Sequence, residues 1–308
     1  MSQSGSELVA ARPATVAEAA DLLATASAEG RSVRIGDDLS TAGLDRVLEH
    51  EAGDLTCTVE AGVRLSELQS VLATTGQRLS LDPPDDPTVG ALLARNVSGP
   101  LRHRFGAPRD LVLGATLVLA DGTIASAGGK VVKNVAGYDL ARLVCGSEGR
   151  LALIARASFR LHPLPKASRT IAVEVDEVVD VAAMVLRSQL QPSALDVLHP
   201  GRVLILFEGS ERAVEAQVAT VRELVGGTVG DAAMWDESRE RQSAALGRVR
   251  FPPGELADTL VELGSAVVRP AAGIAYSAER MSETRAAAGQ ELVDRITAEL
   301  DPRGVLAA

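Results

Sequence analysis

The sequence predicts an α+β protein of two parts, and three observations lead to this prediction. Up to Pro165, helical and strand patterns are separated by long stretches rich in glycine and proline. After Pro165, strands and helices follow one another closely, as in a compact α+β unit with an antiparallel sheet. The chain has 308 residues, which is long enough for two domains.

Composition limits the kind of partner that the chain can have. The formal net charge is −10, which argues against a general nucleic-acid or anionic-membrane binder. No run of about 18 apolar residues predicts a membrane span, and the N-terminus lacks the pattern of a signal peptide. Cys57 and Cys145 lie in apolar stretches and are interpreted as buried thiols, with no metal cluster. We therefore expect a soluble, cytoplasmic protein.

The first part opens with a helix and continues with strands. Thr15 and Glu18 form a capping-box pattern, and Gly30 marks the helix end. An alternating strand follows in "DLTCTVEAGVRL". Ser66 and Gln69 then give a second capping-box pattern for "SELQSVLATTG".

A long loop is predicted over residues 80–110, which carry five prolines and three glycines. Asp121 and Gly122 predict the turn of a hairpin in "LVLGATLVLADGTIASAGGKVV". The apolar run "LALIARASFRLHPLP" predicts a further strand that ends at prolines.

The second part has its own succession of elements. Strands are predicted in "RTIAVEV", "ALDVL", "RVLILFE" and, as two short ones, "AVVRPAAGIAYSA". Helices are predicted in "EVVDVAAMVLRSQL" and "ERAVEAQVATVRELVG", and a closing helix capped at Ser282 in "SETRAAAGQELVDRITAEL".

Three segments of the first part carry a family resemblance. They are "PTVGALLARNVSGPLRHRFGAPRDLVLG", "KVVKNVAGYDLARLVCGSEG" and "FRLHPLP". In this order they resemble the PCMH-type FAD-binding family, which has the vanillyl-alcohol oxidase fold, and more narrowly the FAD-binding E subunits of bacterial glycolate oxidases. The resemblance covers residues 10–165 and extends more weakly to "MWDESRE", "RPAAGIAY" and "DPRGVL". It implies an FAD-binding domain over 1–165, an α+β cap domain over 166–264, and a segment over 265–308 that returns to the FAD domain.

The resemblance also implies where the cofactor binds. Small residues let backbone N–H groups approach a pyrophosphate, which explains glycines beside polar groups. The implied cofactor-binding residues are Gly36, Thr88, Val89, Gly90, Asn96, Ser98, Gly99, Arg104, Arg109, Asp110, Lys133, Asn134, Gly137, Tyr138, Asp139, Gly149 and Ile154. Asn96 is expected to bridge flavin and backbone, and Asp110 to fix one of the arginines. The first loop has no histidine, so non-covalent FAD is expected.

Some residues have other interpretations. Gly128 and Gly129 can form a simple hairpin turn, and Lys133 can be a solvated strand residue. Trp235 is interpreted as a core or domain-contact residue. A surface face is the alternative for three arginines, Arg102, Arg104 and Arg109.

The chain departs from the family pattern at the first loop, "VRIGDDLSTAG". Asp37 and Asp38 stand where glycines are usual, and carboxylates there are expected to repel a pyrophosphate. Glycine at both positions is therefore expected to strengthen FAD binding. Further departures are Ala91, Arg150 and Ala152, and the segment "DPRGVLAA", where relatives continue into an Asn-Pro-Gly segment.

The implied function is that of an FAD-dependent oxidoreductase subunit in a glycolate-oxidase-like complex that oxidises a 2-hydroxy acid. The implied partners are a second flavoprotein subunit and an iron–sulfur subunit. The alternatives are a non-catalytic scaffold subunit that binds FAD weakly or not at all, and a stand-alone FAD oxidoreductase. Catalytic residues remain unassigned. A histidine is the natural base near neutral pH, and of the four, His50, His103, His162 and His199, His103 alone lies in the flavin loop.

Overall fold

Two antiparallel sheets organise the computed structural model, which describes residues 10–129, 139–252, 254–280 and 290–307. The first has five strands and the second has seven, and all pairings within them are antiparallel. This confirms the α+β fold class with a second, separate α+β unit.

The first unit contains six helices and seven strands among its described residues. In chain order they are α1 (Val16–Glu29), β1 (Val47–Glu51), β2 (Thr56–Glu60), α2 (Leu65–Ala73), β3 (Gln77–Arg78), α3 (Val89–Arg95), α4 (Arg102–Phe105), α5 (Pro108–Leu111), β4 (Val112–Val118), β5 (Ile124–Gly128), α6 (Leu140–Leu143), β6 (Leu153–Arg160) and β7 (His162–Pro163). Its five-stranded sheet has the order β1-β2-β6-β4-β5, and β3 pairs with β7.

The second unit and the closing helix complete the described chain. The elements are β8 (Ala167–Glu174), α7 (Val178–Arg187), β9 (Ala194–His199), β10 (Arg202–Gly209), α8 (Glu211–Val225), β11 (Thr228–Gly230), α9 (Met234–Ser243), β12 (Gly247–Arg250), α10 (Leu256–Val261), β13 (Ala266–Arg269), β14 (Ile274–Ser277) and α11 (Gln290–Leu300). The seven-stranded sheet has the order β11-β8-β10-β9-β13-β14-β12.

Local signals explain the ends of several elements. Thr15 Oγ1 accepts the Glu18 amide at 3.1 Å, and Gly30 ends α1 with φ +64°, as the sequence predicts. The turn at Asp121 and Gly122 between β4 and β5 is also confirmed, with Asp121 Oδ1 accepting the Thr123 amide at 2.8 Å.

The predicted second capping box is wrong. Helix α2 begins one residue before Ser66, and Glu67 accepts the amide of Arg64 at 3.3 Å. Ser66 instead donates its hydroxyl to Asp86 at 2.8 Å. Gln69 holds the chain at Leu79, whose carbonyl accepts from Gln69 Nε2 at 2.6 Å. A long-range contact therefore takes the place of the predicted local cap.

The predicted loop over 80–110 is also wrong in part, because it contains α3, α4 and most of α5. Thr88 caps the start of α3, and Pro108 occupies the first turn of α5, where its missing N–H costs nothing. These short helices stabilise a stretch whose prolines and glycines favour turns.

Apolar cores lie on both sides of each sheet. In the first unit, Phe159 and Leu117 face the core beneath α2 and α3, while Leu153 and Val118 face α1. In the second unit, α7 and α8 cover one face of the sheet. Trp235 packs on the opposite face and donates its indole N–H to Thr170 at 2.9 Å, consistent with a core residue.

The described C-terminal residues divide between the two units. Strands β13 and β14 pair within the seven-stranded sheet. Val305 and Leu306 belong to the core of α1, and Leu306 bridges to Val33 in the first unit. We therefore propose that the cap unit extends to about residue 280 and that the chain returns to the first unit with α11. Ser282, the predicted cap of the closing helix, lies outside the described residues.

Three general properties bear on function. No helix in the described ranges is both long and apolar enough to cross a bilayer. Within those ranges no three histidine, cysteine or acidic side chains are grouped to hold a metal ion. Burial raises the pKa of both Cys57 and Cys145 to about 12, which keeps these thiols protonated and unreactive.

Candidate functional site

A cavity of about 540 Å³ opens between α3, the loop before β6 and the loop that follows Ile35. This volume lies within the usual range for small-molecule sites. The lining residues are Ile35, Gly36, Ser40, Thr41, Ala42, Thr88, Gly90, Ala91, Ala94, Arg95, Glu148, Gly149, Ala152 and Ile154. Residues from three separate parts of the sequence therefore meet around one space.

Glycines form much of the cavity wall for backbone and packing reasons. Gly36 and Gly149 have φ values of +105° and +82°, which side chains with a Cβ rarely adopt. A Cβ on Gly90 would lie 3.0 Å from the Cβ of Ala61. The backbone therefore comes close to the cavity at these positions, although the amides of Gly36 and Gly90 already donate to the carbonyls of Leu39 and Ala61.

Five of the sequence-predicted cofactor residues line the cavity: Gly36, Thr88, Gly90, Gly149 and Ile154. Thr88 has a local role as well, because its Oγ1 accepts the Ala91 amide at 3.3 Å and caps α3. Val89 differs, since its side chain is fully buried in the core and its N–H donates to Val63. Val89 therefore offers the cavity neither its side chain nor its N–H.

The two aspartates of the first loop are not an open pair of charges. Asp38 Oδ2 accepts the Arg34 amide at 2.8 Å and closes the turn. The Arg34 guanidinium lies 3.8 Å from a carboxylate oxygen of both Asp37 and Asp38. Asp37 is 70% exposed. Neither aspartate lines the cavity, and Asp38 is used in the turn. The expectation that the two carboxylates oppose a pyrophosphate stays a prediction, since one guanidinium at 3.8 Å offsets only part of two negative charges.

The other departures have smaller effects. Ala91 and Ala152 line the cavity, where their small side chains leave room. Arg150 does not line the cavity; a terminal nitrogen of its guanidinium lies 3.3 Å from a carboxylate oxygen of Glu148.

Beyond α3 the chain passes through Asn96, Val97, Ser98 and Gly99. Asn96 has a left-handed backbone, and its Oδ1 accepts the Arg109 amide at 3.2 Å. Gly99 packs so closely on Asp82 that a Cβ would overlap the Asp82 carbonyl. The amides of Val97, Ser98 and Gly99 meet no acceptor among the residues that the structure describes. Three successive free donors are unusual and suit a ligand acceptor.

The predicted cations and their partner are arranged differently from expectation. Asp110 Oδ2 accepts the Ala107 amide at 2.8 Å, so Asp110 caps α5. Arg104 lies over the ring of Phe105, with Cζ 5.9 Å from the ring centre. Arg109 is exposed, and its amide, rather than its side chain, is held by Asn96. None of the three lines the cavity.

The remaining predicted residues lie elsewhere. Lys133, Asn134, Gly137 and Tyr138 are outside the described residues, as is the part of the motif that they form. Asp139 begins α6, where its Oδ1 accepts the Arg142 amide at 3.1 Å. It faces a groove beside α11 and not the cavity.

A group of arginines at the junction of the two units was missed by the sequence analysis. Arg248 and Arg250 alternate along β12, so their side chains share one face of the sheet. Tyr276 pairs with Arg248 across the strands, and Arg248 Cζ lies 5.9 Å from its ring centre. The first unit contributes Arg102 to the same neighbourhood. We call Arg102, Arg248, Arg250 and Tyr276 the arginine cluster.

The pKa values of two members show that positive charge is concentrated in this cluster. Burial lowers the pKa of Arg102, Tyr276 opposes this, and the charges of Arg248 and Arg250 lower the pKa further. Burial likewise lowers the pKa of Arg250, and Arg248 and Arg109 add to this. Such a group favours an anion, because each guanidinium remains charged and an anion relieves their repulsion. The signal in the sequence was the alternation in "GRVRF".

His103 is kept neutral. Burial lowers the pKa of His103, and Arg104 lowers it further, while Asp196 opposes them. A neutral imidazole can accept a proton at neutral pH.

Comparison with known proteins places this geometry in context. Residues 38–128 match the family described as "FAD binding domain". The glycolate oxidase subunit GlcE of Escherichia coli (strain K12) is 33% identical over 201 residues, which cover 64% of this chain and 56% of that protein. The probable mitochondrial D-lactate dehydrogenase of Danio rerio is 30% identical over 224 residues, which cover 65% and 45%. The chain thus spans about half the length of these curated relatives.

Solved structures show the same fold. A structure of an alkyldihydroxyacetonephosphate synthase superimposes with a TM-score of 0.71 over 96% of this chain and 75% of that one. The sequences are 16% identical, so this likeness concerns the fold alone. It includes both units of the chain, in agreement with the predicted vanillyl-alcohol oxidase architecture.

Proposed function

Because residues 38–128 carry an FAD binding domain, we propose that the cavity beside α3 binds FAD non-covalently and that the chain is an FAD-dependent oxidoreductase for a 2-hydroxy acid. The observation that carries this proposal is the cavity itself, into which Gly36 and Gly149 bring loop backbone and Gly90 brings the first turn of α3. Similarity to a glycolate oxidase subunit and a D-lactate dehydrogenase supports the substrate class.

The residues present fit a dinucleotide. The glycines of the cavity suit a pyrophosphate because backbone can approach it closely, and neither Asp37 nor Asp38 lines the cavity. The unpaired amides at 97–99 suit acceptors of the flavin ring. FAD, when bound, supplies the acceptor for the two electrons that leave the substrate.

We propose that the arginine cluster binds the carboxylate of the substrate. Arg102 comes from the first unit and Arg248 and Arg250 come from the second, so a bound anion would bridge the two units. Arginine suits this role because its planar group binds a carboxylate through two parallel hydrogen bonds.

The cluster can be tested with a non-reacting dicarboxylate. We expect oxalate to bind the flavin-loaded wild-type protein and to perturb its visible spectrum. The double substitution Arg248→Met and Arg250→Met should lower the affinity for oxalate at least about tenfold, since each charge-assisted hydrogen bond contributes about 1.5 kcal/mol or more. Arg222→Met, an exposed change on α8, is the control. Equal oxalate affinity in all three proteins would remove the proposed role of the cluster.

We also propose that the chain works with a second flavoprotein subunit and an iron–sulfur subunit that removes the electrons. The support is the relationship to a protein that is itself named as a subunit. The isolated chain should then turn over glycolate or D-lactate far more slowly than a typical enzyme rate of about 10 per second with an artificial acceptor. Turnover at that rate by the pure single chain would favour a stand-alone oxidoreductase.

The alternative function is a scaffold subunit that binds little or no FAD. It rests on the departures from the family pattern, of which Asp37, Asp38 and Arg150 do not line the cavity. A yellow purified protein whose flavin enters the supernatant on acid precipitation would exclude the scaffold. Colour that stays with the pellet would instead contradict non-covalent binding.

A further inference from the structure

The carbonyl oxygen of Ser98 receives two hydrogen bonds from the second unit. Gln242 Nε2 donates to it at 3.0 Å, and Arg269 donates through a terminal nitrogen at 3.2 Å. Both donors are buried, with Arg269 only 1% exposed. A fully buried arginine directed at one backbone carbonyl is a costly arrangement, and it needs a reason.

The arginine is itself held by a network of buried groups. Its Nε lies 3.3 Å from Asp196, which also accepts the hydroxyl of Ser238. Another terminal nitrogen donates to Gln242 Oε1 at 2.7 Å, so the amide of Gln242 is oriented with its Nε2 toward Ser98. The guanidinium also lies over Tyr276, with Cζ 5.2 Å from the ring centre. The network leaves Arg269 and Gln242 little freedom to move.

Fixing the Ser98 carbonyl fixes the next amide as well. A trans peptide is planar, so the N–H of Gly99 points opposite to the carbonyl oxygen of Ser98. Hydrogen bonds to a carbonyl also polarise the peptide and strengthen its N–H as a donor. Gly99 is buried, and within the described part of the chain its N–H has no acceptor.

We propose that Arg269 and Gln242 are positioning residues for the cofactor: they hold the Ser98–Gly99 peptide so that its N–H donates to an acceptor atom of bound FAD. The inference rests on the proposed function, because it requires FAD next to this loop. It makes the sheet of the second unit part of the cofactor site, although none of its residues lines the cavity beside α3.

Adhesion between the two units is a competing explanation, and the structure contains a matched control for it. Arg78 and Glu208 form a two-point ion pair across the same junction, with distances of 2.8 and 2.6 Å, and both side chains are largely buried. Among the described residues, neither side chain of this pair hydrogen-bonds to residues 97–99. If adhesion alone mattered, breaking it would affect FAD as much as breaking the Arg269 network.

The test uses two variants of the network and one of the control pair. Gln242→Leu removes one donor to Ser98. The double variant Asp196→Asn with Arg269→Gln removes the cation while sparing the fold an unpaired buried charge. Arg78→Gln with Glu208→Gln removes the control pair. Each protein is stripped of flavin and titrated with FAD, and the midpoint potential of the bound flavin is then measured.

We expect each network variant to bind FAD at least about tenfold more weakly, as the loss of one buried hydrogen bond implies. The double variant removes one positive and one negative charge together. It should still give a more negative midpoint potential, because the Gly99 N–H, no longer polarised through the Ser98 carbonyl, is a weaker donor to the added negative charge of reduction. The control variant should stay within about twofold of wild type and keep its potential.

Wild-type affinity and potential in folded network variants would overturn the inference, as would an equal loss of affinity in the control. If the double variant does not fold, the Gln242→Leu titration decides. If the wild-type protein binds no FAD, the proposed function fails instead, so the two failures are distinguishable.

Discussion

The Oδ1 atom of Asp82 accepts a hydrogen bond from the amide of Leu101 at 3.0 Å, at the start of α4 and beside the second unit. Its other oxygen lies 3.6 Å from Arg239 of α9. Burial raises the pKa of Asp82 to about 7, against opposing effects of Arg269, the Leu101 amide and Arg239. The junction of the two units therefore contains a carboxyl group that titrates near neutral pH.

This carboxyl group should make folding stability depend on pH. The folded-state pKa lies above the ordinary value of about 3.9, so the folded state holds the proton more tightly. The stabilisation that this proton gives the folded state is fully present below about pH 4, and it is lost as pH rises through about 7. Asp82→Asn keeps the acceptor for Leu101 and removes the titration. We expect the stability of wild type relative to this variant to fall by roughly 4 kcal/mol between pH 4 and pH 8, since the pKa differs by about three units.

Urea unfolding of both proteins at several pH values measures this difference. A wild-type minus variant difference that stays constant across the window, or that rises with pH, would show that Asp82 does not carry the raised pKa.

A second buried carboxylate should behave in the opposite sense. Glu60 is fully buried, and Arg46 donates to it at 3.0 and 3.1 Å while Arg156 lies 3.5 Å away. Burial alone would raise the pKa of Glu60, but the hydrogen bonds and charges of the two arginines outweigh it and lower the pKa. Its contribution is present above the ordinary value of about 4.3 and is lost as pH falls through the folded-state pKa.

We therefore expect Arg46→Met to destabilise the protein more than Glu60→Gln. The first leaves a buried carboxylate with only Arg156 and the backbone amide of residue 46 as partners, whereas the second leaves a solvated arginine and a neutral amide. Thermal unfolding at pH 7 compares the two variants. The difference between their unfolding temperatures should be smaller at pH 4. The reverse order of stability would mean that the exposed Arg46 is dispensable.

The two aspartates of the first loop offer a paired prediction. Asp38→Ala should cost about 1 kcal/mol of unfolding free energy, because the Arg34 amide loses its acceptor. Asp37→Ala should be nearly neutral, because its ion pair is exposed and long. Glycine at both positions should strengthen FAD binding, because it removes two carboxylates that oppose a pyrophosphate. Chemical denaturation and a flavin titration check these points, and unchanged FAD affinity would contradict the idea of an opposing charge.

The sequence was most informative where chemistry is local. The cap at Thr15, the stop at Gly30 and the turn at Asp121 and Gly122 each depend on neighbours within a few residues, and all three are confirmed. The glycines that line the cavity were also found, because the need for a backbone without a Cβ is visible in the residue type.

Long-range contacts could not be predicted from the sequence. Nothing near Ser66 reveals that Asp86 binds it, and nothing near Ser98 points to Arg269, which lies 171 positions away. The orientation of Asp37 and Asp38 could not be predicted for a related reason. Their partner Arg34 lies nearby, but which way each carboxylate points depends on the folded turn.

Titration of flavin-free protein with FAD tests the central claim most directly, with wild type compared with Ala91→Phe, which fills the cavity, and Ala216→Phe on the exposed face of α8 as control. We predict one FAD per wild-type and control chain, and at least about tenfold weaker binding by Ala91→Phe, since a large ring leaves no room for the ligand. Equal FAD affinity in all three proteins would show that FAD does not occupy this cavity.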